Sequence, residues 1–101
     1  MKRYEGKRLQ NQPEVTVDGM PLDPRPDLCS SPVGFEWGYN GSGPKQLAIA
    51  ILADFLHDEN EALALCQSFR ESIISKLPRE NWTLTSEQIE HALQALCTTC
   101  C

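Results

Sequence analysis

Pro44-Lys45-Gln46-Leu47-Ala48-Ile49-Ala50-Ile51-Leu52-Ala53-Asp54-Phe55-Leu56-His57 is the stretch on which the fold turns. Leu47, Ile51, Leu52, Phe55 and Leu56 recur at helical spacing, while Ala48, Ala50 and Ala53 keep the remaining sides small and apolar. A helix that is apolar nearly all round does not lie on a surface, so this one is expected at the centre, covered from several sides. Pro44 suits the first residue of a helix, where the missing N–H has no partner to lose, and His57 suits the negative end of the helix dipole. The longest wholly apolar run, Leu47 to Ala53, is far short of the ~20 residues that cross a bilayer.

Working outward, the residues before this helix read as strands and turns. Tyr4 to Leu9 is a candidate strand ended by Asn11-Gln12-Pro13. Val15-Thr16-Val17 alternates with β-branched residues and runs into Asp18-Gly19, a hairpin turn because both residues tolerate positive φ. Met20-Pro21-Leu22 begins the return strand, and the prolines between 21 and 32 make Asp23 to Pro32 an extended connection. Phe35-Glu36-Trp37-Gly38-Tyr39 is predicted as a third strand with Phe35, Trp37 and Tyr39 on one face. After the central helix, Asp58 and Glu61 open a second helix whose stripe is Ala62, Leu65, Cys66, Phe69, Ile73 and Leu77, stopped by Pro78. Trp82-Thr83-Leu84 is a short extended piece, and Thr85 with Gln88 forms a capping box for a third helix with Ile89, Ala92, Leu93 and Leu96 inward. The order ββ(β)ααα predicts an α+β fold: an N-terminal antiparallel sheet of three to four strands packed against three helices. Residues 1–96 are expected to form this single domain and 97–101 a flexible cysteine-rich tail; 101 residues suffice for one core without staples.

Charge narrows the partners. The net charge is −5, but Lys2, Arg3, Lys7 and Arg8 against Glu5 make the first eight residues basic, so the body carries −8. Such a body repels phosphate, which argues against nucleic acid as a partner, and the basic start reads as a solvated strand edge. The charged N-terminus lacks an apolar stretch and predicts no secretory leader or membrane association. The odd count of five cysteines, three of them at 97, 100 and 101, suggests reduced thiols in the cytoplasm rather than a disulfide framework. Cys66, on an apolar stripe, is expected to be buried. Cys97, Cys100, Cys101 and His91 could supply zinc ligands, but the paired CxxC units of a finger or ribbon are missing, so no metal or other cofactor is assigned. No Ser or Cys sits beside either histidine in sequence, so no catalytic residue is assigned.

The sharpest constellation is the corner Asn40-Gly41-Ser42-Gly43. Glycines at a helix start can expose backbone N–H groups to an anion, and Gly38 to Gly43 has the spacing of a phosphate loop. Pro44 stands where that loop has Lys, Lys45 comes one residue late, and Gln46 replaces the magnesium-binding hydroxyl. The competing reading is a tight corner whose glycines serve packing. The candidate ligand-binding residues are Gly41, Ser42, Gly43, Lys45 and Gln46, with Glu36 and Trp37 nearby. Phe35, Trp37 and Tyr39 could stack bases, but with Glu36 among them and an acidic body the core-packing reading is preferred.

The run Gly34-Phe35-Glu36-Trp37-Gly38-Tyr39-Asn40-Gly41-Ser42-Gly43-Pro44-Lys45-Gln46-Leu47-Ala48 resembles the GFEWGYxGSGPxQLA signature of an uncharacterised prokaryotic domain family found in bacteria, archaea, phages and plasmids. Tyr4-Glu5-Gly6, Val17-Asp18-Gly19, Pro21-Leu22-Asp23-Pro24, Leu77-Pro78-Arg79 and Trp82-Thr83-Leu84-Thr85 match its layout, so the resemblance spans residues 4 to about 93. Asn40, in place of a glycine or other small residue, and the cysteine tail depart from it. The resemblance implies a microbial or mobile-element source and no established activity. The function expected is that of a small non-enzymatic interaction or regulatory module acting on a protein partner, as monomer or homodimer. The alternative is a small anion- or nucleotide-binding module at Gly41–Gly43.

Overall fold

The computed structural model describes residues 2–10, 12–28 and 34–99, with the backbone alone at 96–99. Four strands, β1 (Arg3–Leu9), β2 (Gln12–Val17), β3 (Met20–Pro21) and β4 (Trp82–Thr85), form one antiparallel sheet in the order β3-β2-β1-β4. Three helices, α1 (Ser42–Leu56), α2 (Glu59–Ser72) and α3 (Ser86–Thr99), complete the α+β fold, with a 3₁₀ turn at Ile74–Lys76. The fourth strand is the Trp82-Thr83-Leu84 piece, carried back to the sheet after α2.

Local chemistry explains most boundaries. Asp18 (φ 52°) and Gly19 (φ 84°) both take the left-handed conformation that a two-residue hairpin loop demands, and Val17 pairs with Met20 across it. β1 ends at Leu9 as expected, and Pro13 lies inside β2, where it pairs with Arg8 beyond the reach of the two-residue β3 and its missing N–H costs the sheet no bond. The Asp58 carboxylate accepts from the Glu61 N–H at 3.1 Å and starts α2. At α3 the capping box closes both ways, Gln88 N–H to Thr85 Oγ1 at 3.2 Å and Thr85 N–H to Gln88 Oε1 at 2.9 Å. The expected α2 stripe continues to Leu77, but the α-helix stops at Ser72 and gives way to the 3₁₀ turn that seats Ile74. α3 continues to Thr99, past the expected domain limit at 96; Cys29, Cys100 and Cys101 fall outside the described residues.

The predicted third strand is corrected. Phe35–Tyr39 is irregular, with Trp37 fully buried, Phe35 half-buried and Tyr39 44 % exposed. Both sides of β1 are already occupied, by β2 and β4, so no ladder position beside it is open to this segment. It is held instead by Gly38, whose N–H donates to Ile74 O at 3.0 Å while its φ of 87° bends the chain.

α1 is the core, as its composition requires: Gly43, Pro44 and Gln46 to Ala53 are all buried. The inner sheet face covers one side through Tyr4, Val15, Trp82 and Leu84, and α2 covers another through Ala62, Cys66 and Phe69. The register sets Gly6 between Val15 and Trp82, and the Trp82 indole fills the space above it. A Cβ at position 6 would lie 2.3 Å from that ring. Gly6→Ala should therefore cost about 2 kcal/mol or more by overpacking. Gly19→Ala, which meets nothing within 4 Å, should cost only the left-handed backbone penalty of about 1 kcal/mol. Urea denaturation midpoints of the two variants check the ranking.

Candidate functional site

The Gly-rich corner is a packed junction. Gly41 is extended (φ 180°), and Tyr39 lies across it so closely that a Cβ there would come within 2.6 Å of the tyrosine ring. No side chain caps the start of α1. Gly43 and Pro44 are buried, while Ser42 and Lys45 are exposed. Gln46, 3 % exposed, donates through Nε2 to Pro24 O and so ties the proline-rich connection onto α1; its Oε1 is buried with no hydrogen-bond partner among the described residues. The glycines with positive φ are Gly19, Gly34 and Gly38, so neither Gly41 nor Gly43 is needed for a left-handed backbone.

Glu36 and Trp37 belong to a clamp beside this corner. The Arg8 guanidinium donates to both Glu36 oxygens, at 2.7 and 3.2 Å, and stacks 4.6 Å from the centre of the Trp37 ring. Arg8 Nε and Trp37 Nε1 both donate to Arg79 O, at 2.7 and 3.0 Å, and Trp37 meets Trp82 edge-on with ring centres 5.6 Å apart. The Arg8 hydrogen bond, opposed by burial, holds the Glu36 carboxyl below the usual carboxylate range. A matching anchor joins β1 to α1: Tyr4 OH donates to Asp54 Oδ2 at 2.6 Å and Lys2 Nζ to the same oxygen at 2.9 Å. Burial would raise the Asp54 pKa, but the hydrogen bonds from Tyr4 and Lys2 outweigh it and the net shift is downward. Burial and the Asp54 partner together push the Tyr4 phenol far above its ordinary value. The structure thus brings Glu36 and Trp37 together with Arg8 and Arg79, and places Gly43 and Gln46 inside the fold.

A different region has the character of a binding face. Phe55 and Leu56 at the end of α1, Leu65 of α2 and Leu93 of α3 line a hollow of about 700 Å³, flanked by the exposed Glu61 and Glu90. It exists because α2 packs closely along α1 whereas α3 meets both α2 and β4 only sparsely. Phe55, Leu56, Leu65 and Leu93 are residues that helical periodicity marks as inward-facing. Periodicity names the face of a helix but not how completely a neighbour covers it, so these positions were legible as core and not as a cleft. Among the described residues no group of three or more histidine, cysteine or acidic side chains could hold a metal ion, and no helix is long and apolar enough to cross a membrane. Cys66 is buried, with its thiol against Leu63 O at 3.3 Å.

The clamp predicts a pH response. Glu36 has a folded pKa below its unfolded value of about 4.3, so its pairing with Arg8 stabilises fully above that pH and is lost as pH falls through the lower folded value. Glu36→Gln should lower stability near pH 7 by about 1–2 kcal/mol and flatten the decline below about pH 4, which urea titrations at both pH values measure. At the corner, Lys45 opposes the helix dipole and is exposed. Lys45→Ala should be neutral or slightly stabilising, and phosphate, sulfate or ATP should raise the parent's melting temperature no more than equivalent sodium chloride does.

Comparison with known proteins adds a family and no activity. No curated protein and no solved structure matches the chain significantly. One family profile matches residues 4–95, from the Tyr4 anchor on β1 through most of α3. That span contains all of the sheet but Arg3, the clamp, the corner and every residue lining the apolar hollow, and the chain therefore belongs to the family of unknown function DUF6166.

Proposed function

We propose that this chain is a small non-enzymatic interaction module that binds a protein partner, and that the hollow lined by Phe55, Leu56, Leu65 and Leu93 is its binding face. One observation carries the reading: the half-buried Phe55, Leu56 and Leu65 converge with the buried Leu93 where the surface is concave. Concave, largely apolar surface with a polar margin is what protein anchors fill. Other hollows are lined by polar and charged groups, such as the one beside Arg25, His57, Asp58 and Glu59. The described thiol, Cys66, is packed inward and not presented to a substrate. The resemblance drawn from Gly34 to Ala48 fits a microbial or mobile-element protein that works through a partner. The alternative, a small anion or nucleotide at the helix start, has the exposed Ser42 and Lys45 in its favour, against buried Gly43 and Gln46 and a Tyr39 ring packed on Gly41.

Leu65→Asp puts a charge into the hollow from a half-buried position. A partner identified by affinity capture and then purified should form a defined complex with the parent in sedimentation analysis. Its affinity for Leu65→Asp should fall at least tenfold while the variant keeps its helical circular dichroism. Undiminished binding to a folded Leu65→Asp protein would place the binding face elsewhere.

A further inference from the structure

The acidic character of the walls decides what kind of segment fits the hollow. α2 carries Glu59, Glu61 and Glu71 against one cation, Arg70, which lies 3.9 Å from Glu71. α3 carries Glu87 and Glu90 and neither lysine nor arginine. Glu59 is engaged by Arg25, but Glu61 and Glu90 stand exposed on opposite walls of the hollow with the four apolar side chains between them. The lining runs from Glu61 to Leu65 on α2 and from Glu90 to Gln94 on α3, about one turn of each helix. A hollow of that extent between two helices takes the neighbouring anchors, at i and i+4, that a third helix presents along one line.

Resting on the protein-binding reading above, we infer that the partner segment is an amphipathic helix whose apolar stripe enters between α2 and α3 and whose flanking lysines or arginines meet Glu61 and Glu90. The apolar stripe supplies affinity by covering Phe55, Leu56, Leu65 and Leu93. The basic flanks supply orientation and a faster encounter, because charge across a solvated rim governs specificity and on-rate more than affinity. An acidic or neutral amphipathic helix gains the first contribution and not the second, and an acidic one adds repulsion. The attraction acts across water-exposed side chains, so it weakens as salt shortens the screening length from about 10 Å at 0.1 M to about 3 Å at 1 M.

The test uses the full chain and two synthetic 14-residue helices with the same leucine stripe, one with lysine and one with glutamate at the other positions. Fluorescence anisotropy should show saturable one-to-one binding of the leucine–lysine helix, at least tenfold tighter than that of the leucine–glutamate helix, and weakened severalfold between 0.1 and 0.5 M sodium chloride. The double substitution Glu61→Lys and Glu90→Lys, both at exposed positions that leave the core untouched, should invert that preference. Leu65→Asp should abolish binding of both helices. Equal binding of the two helices, or a preference that the double substitution does not move, overturns the basic-partner inference while leaving an apolar protein-binding hollow in place. No binding of either helix, with a purified partner still sensitive to Leu65→Asp, also overturns the helical partner and spares the general reading. A dimer of the parent that Leu65→Asp dissociates makes a second copy the occupant and overturns the inference. Loss of both the helix and the partner dependence on Leu65 removes the two readings together.

Discussion

A helix with almost no polar side obliges the rest of a small domain to surround it. From Gly43 to Ala53, α1 presents only Lys45 to water, and Gln46, the buried amide in that run, must find its partner inside. Covering such a helix takes more than the single face a sheet can offer. The sheet takes one side and α2 a second, while Leu22, Leu28 and the Gln46–Pro24 hydrogen bond bring the proline-rich connection over the N-terminal turns. Burial on this scale, at about 25 cal/mol per Å² of apolar surface, is the main favourable contribution a chain of this length can muster. At the C-terminal end the cover runs out: Phe55 and Leu56 are only partly enclosed, and the apolar hollow is the consequence.

β1 turns that requirement into a defined geometry. Its inward positions are Tyr4, Gly6 and Arg8, and each does something different. Tyr4 reaches Asp54 on α1, Gly6 vacates its space to the Trp82 indole, and Arg8 grips Glu36 while lying on Trp37. A polar residue facing inward on a strand is ordinarily costly, yet here each is paired or stacked, so the sheet can touch both the helix and the irregular segment. The Trp82 indole N–H is left out: like Gln46 Oε1 and Arg70 Nε, it is buried with no hydrogen-bond partner among the described residues. An orphan of that kind costs about 1–3 kcal/mol, which the buried area of a tryptophan offsets.

The same arrangement separates stability from recognition. The signature-like run from Gly34 to Ala48 is occupied with holding Trp37 and the start of α1 in place, through the clamp, the Tyr39–Gly41 contact and the Gln46 tie. The face proposed for partner binding lies at the other end of α1, on Phe55, Leu56 and the leucines at 65 and 93, whose helical spacing reads as ordinary core. The match to DUF6166 over residues 4–95 spans both regions.

Local signals determined the helices, their starts and the hairpin. Asp58, Thr85 and Gln88 cap the helices they were expected to cap, Asp18-Gly19 turns as its φ tolerance requires, and the apolar run of α1 lies at the centre. These are short-range effects, settled by a residue and its neighbours within a turn. Phe35–Tyr39 has the alternation of a strand, but β1 had one free edge to give and Trp82–Thr85 took it; no local signal ranks two distant claimants for one ladder. Arg8, readable in sequence only as part of a basic edge, became the inward clamp once the register set it across from Pro13 and beside Trp37. The candidate corner was legible as glycine-rich, whereas its packing depended on where Tyr39 and Pro24 fell in space. Whether Phe55, Leu56 and Leu65 close into core or stay half-buried around a hollow depended on how closely α3 meets α2, which only long-range packing fixes.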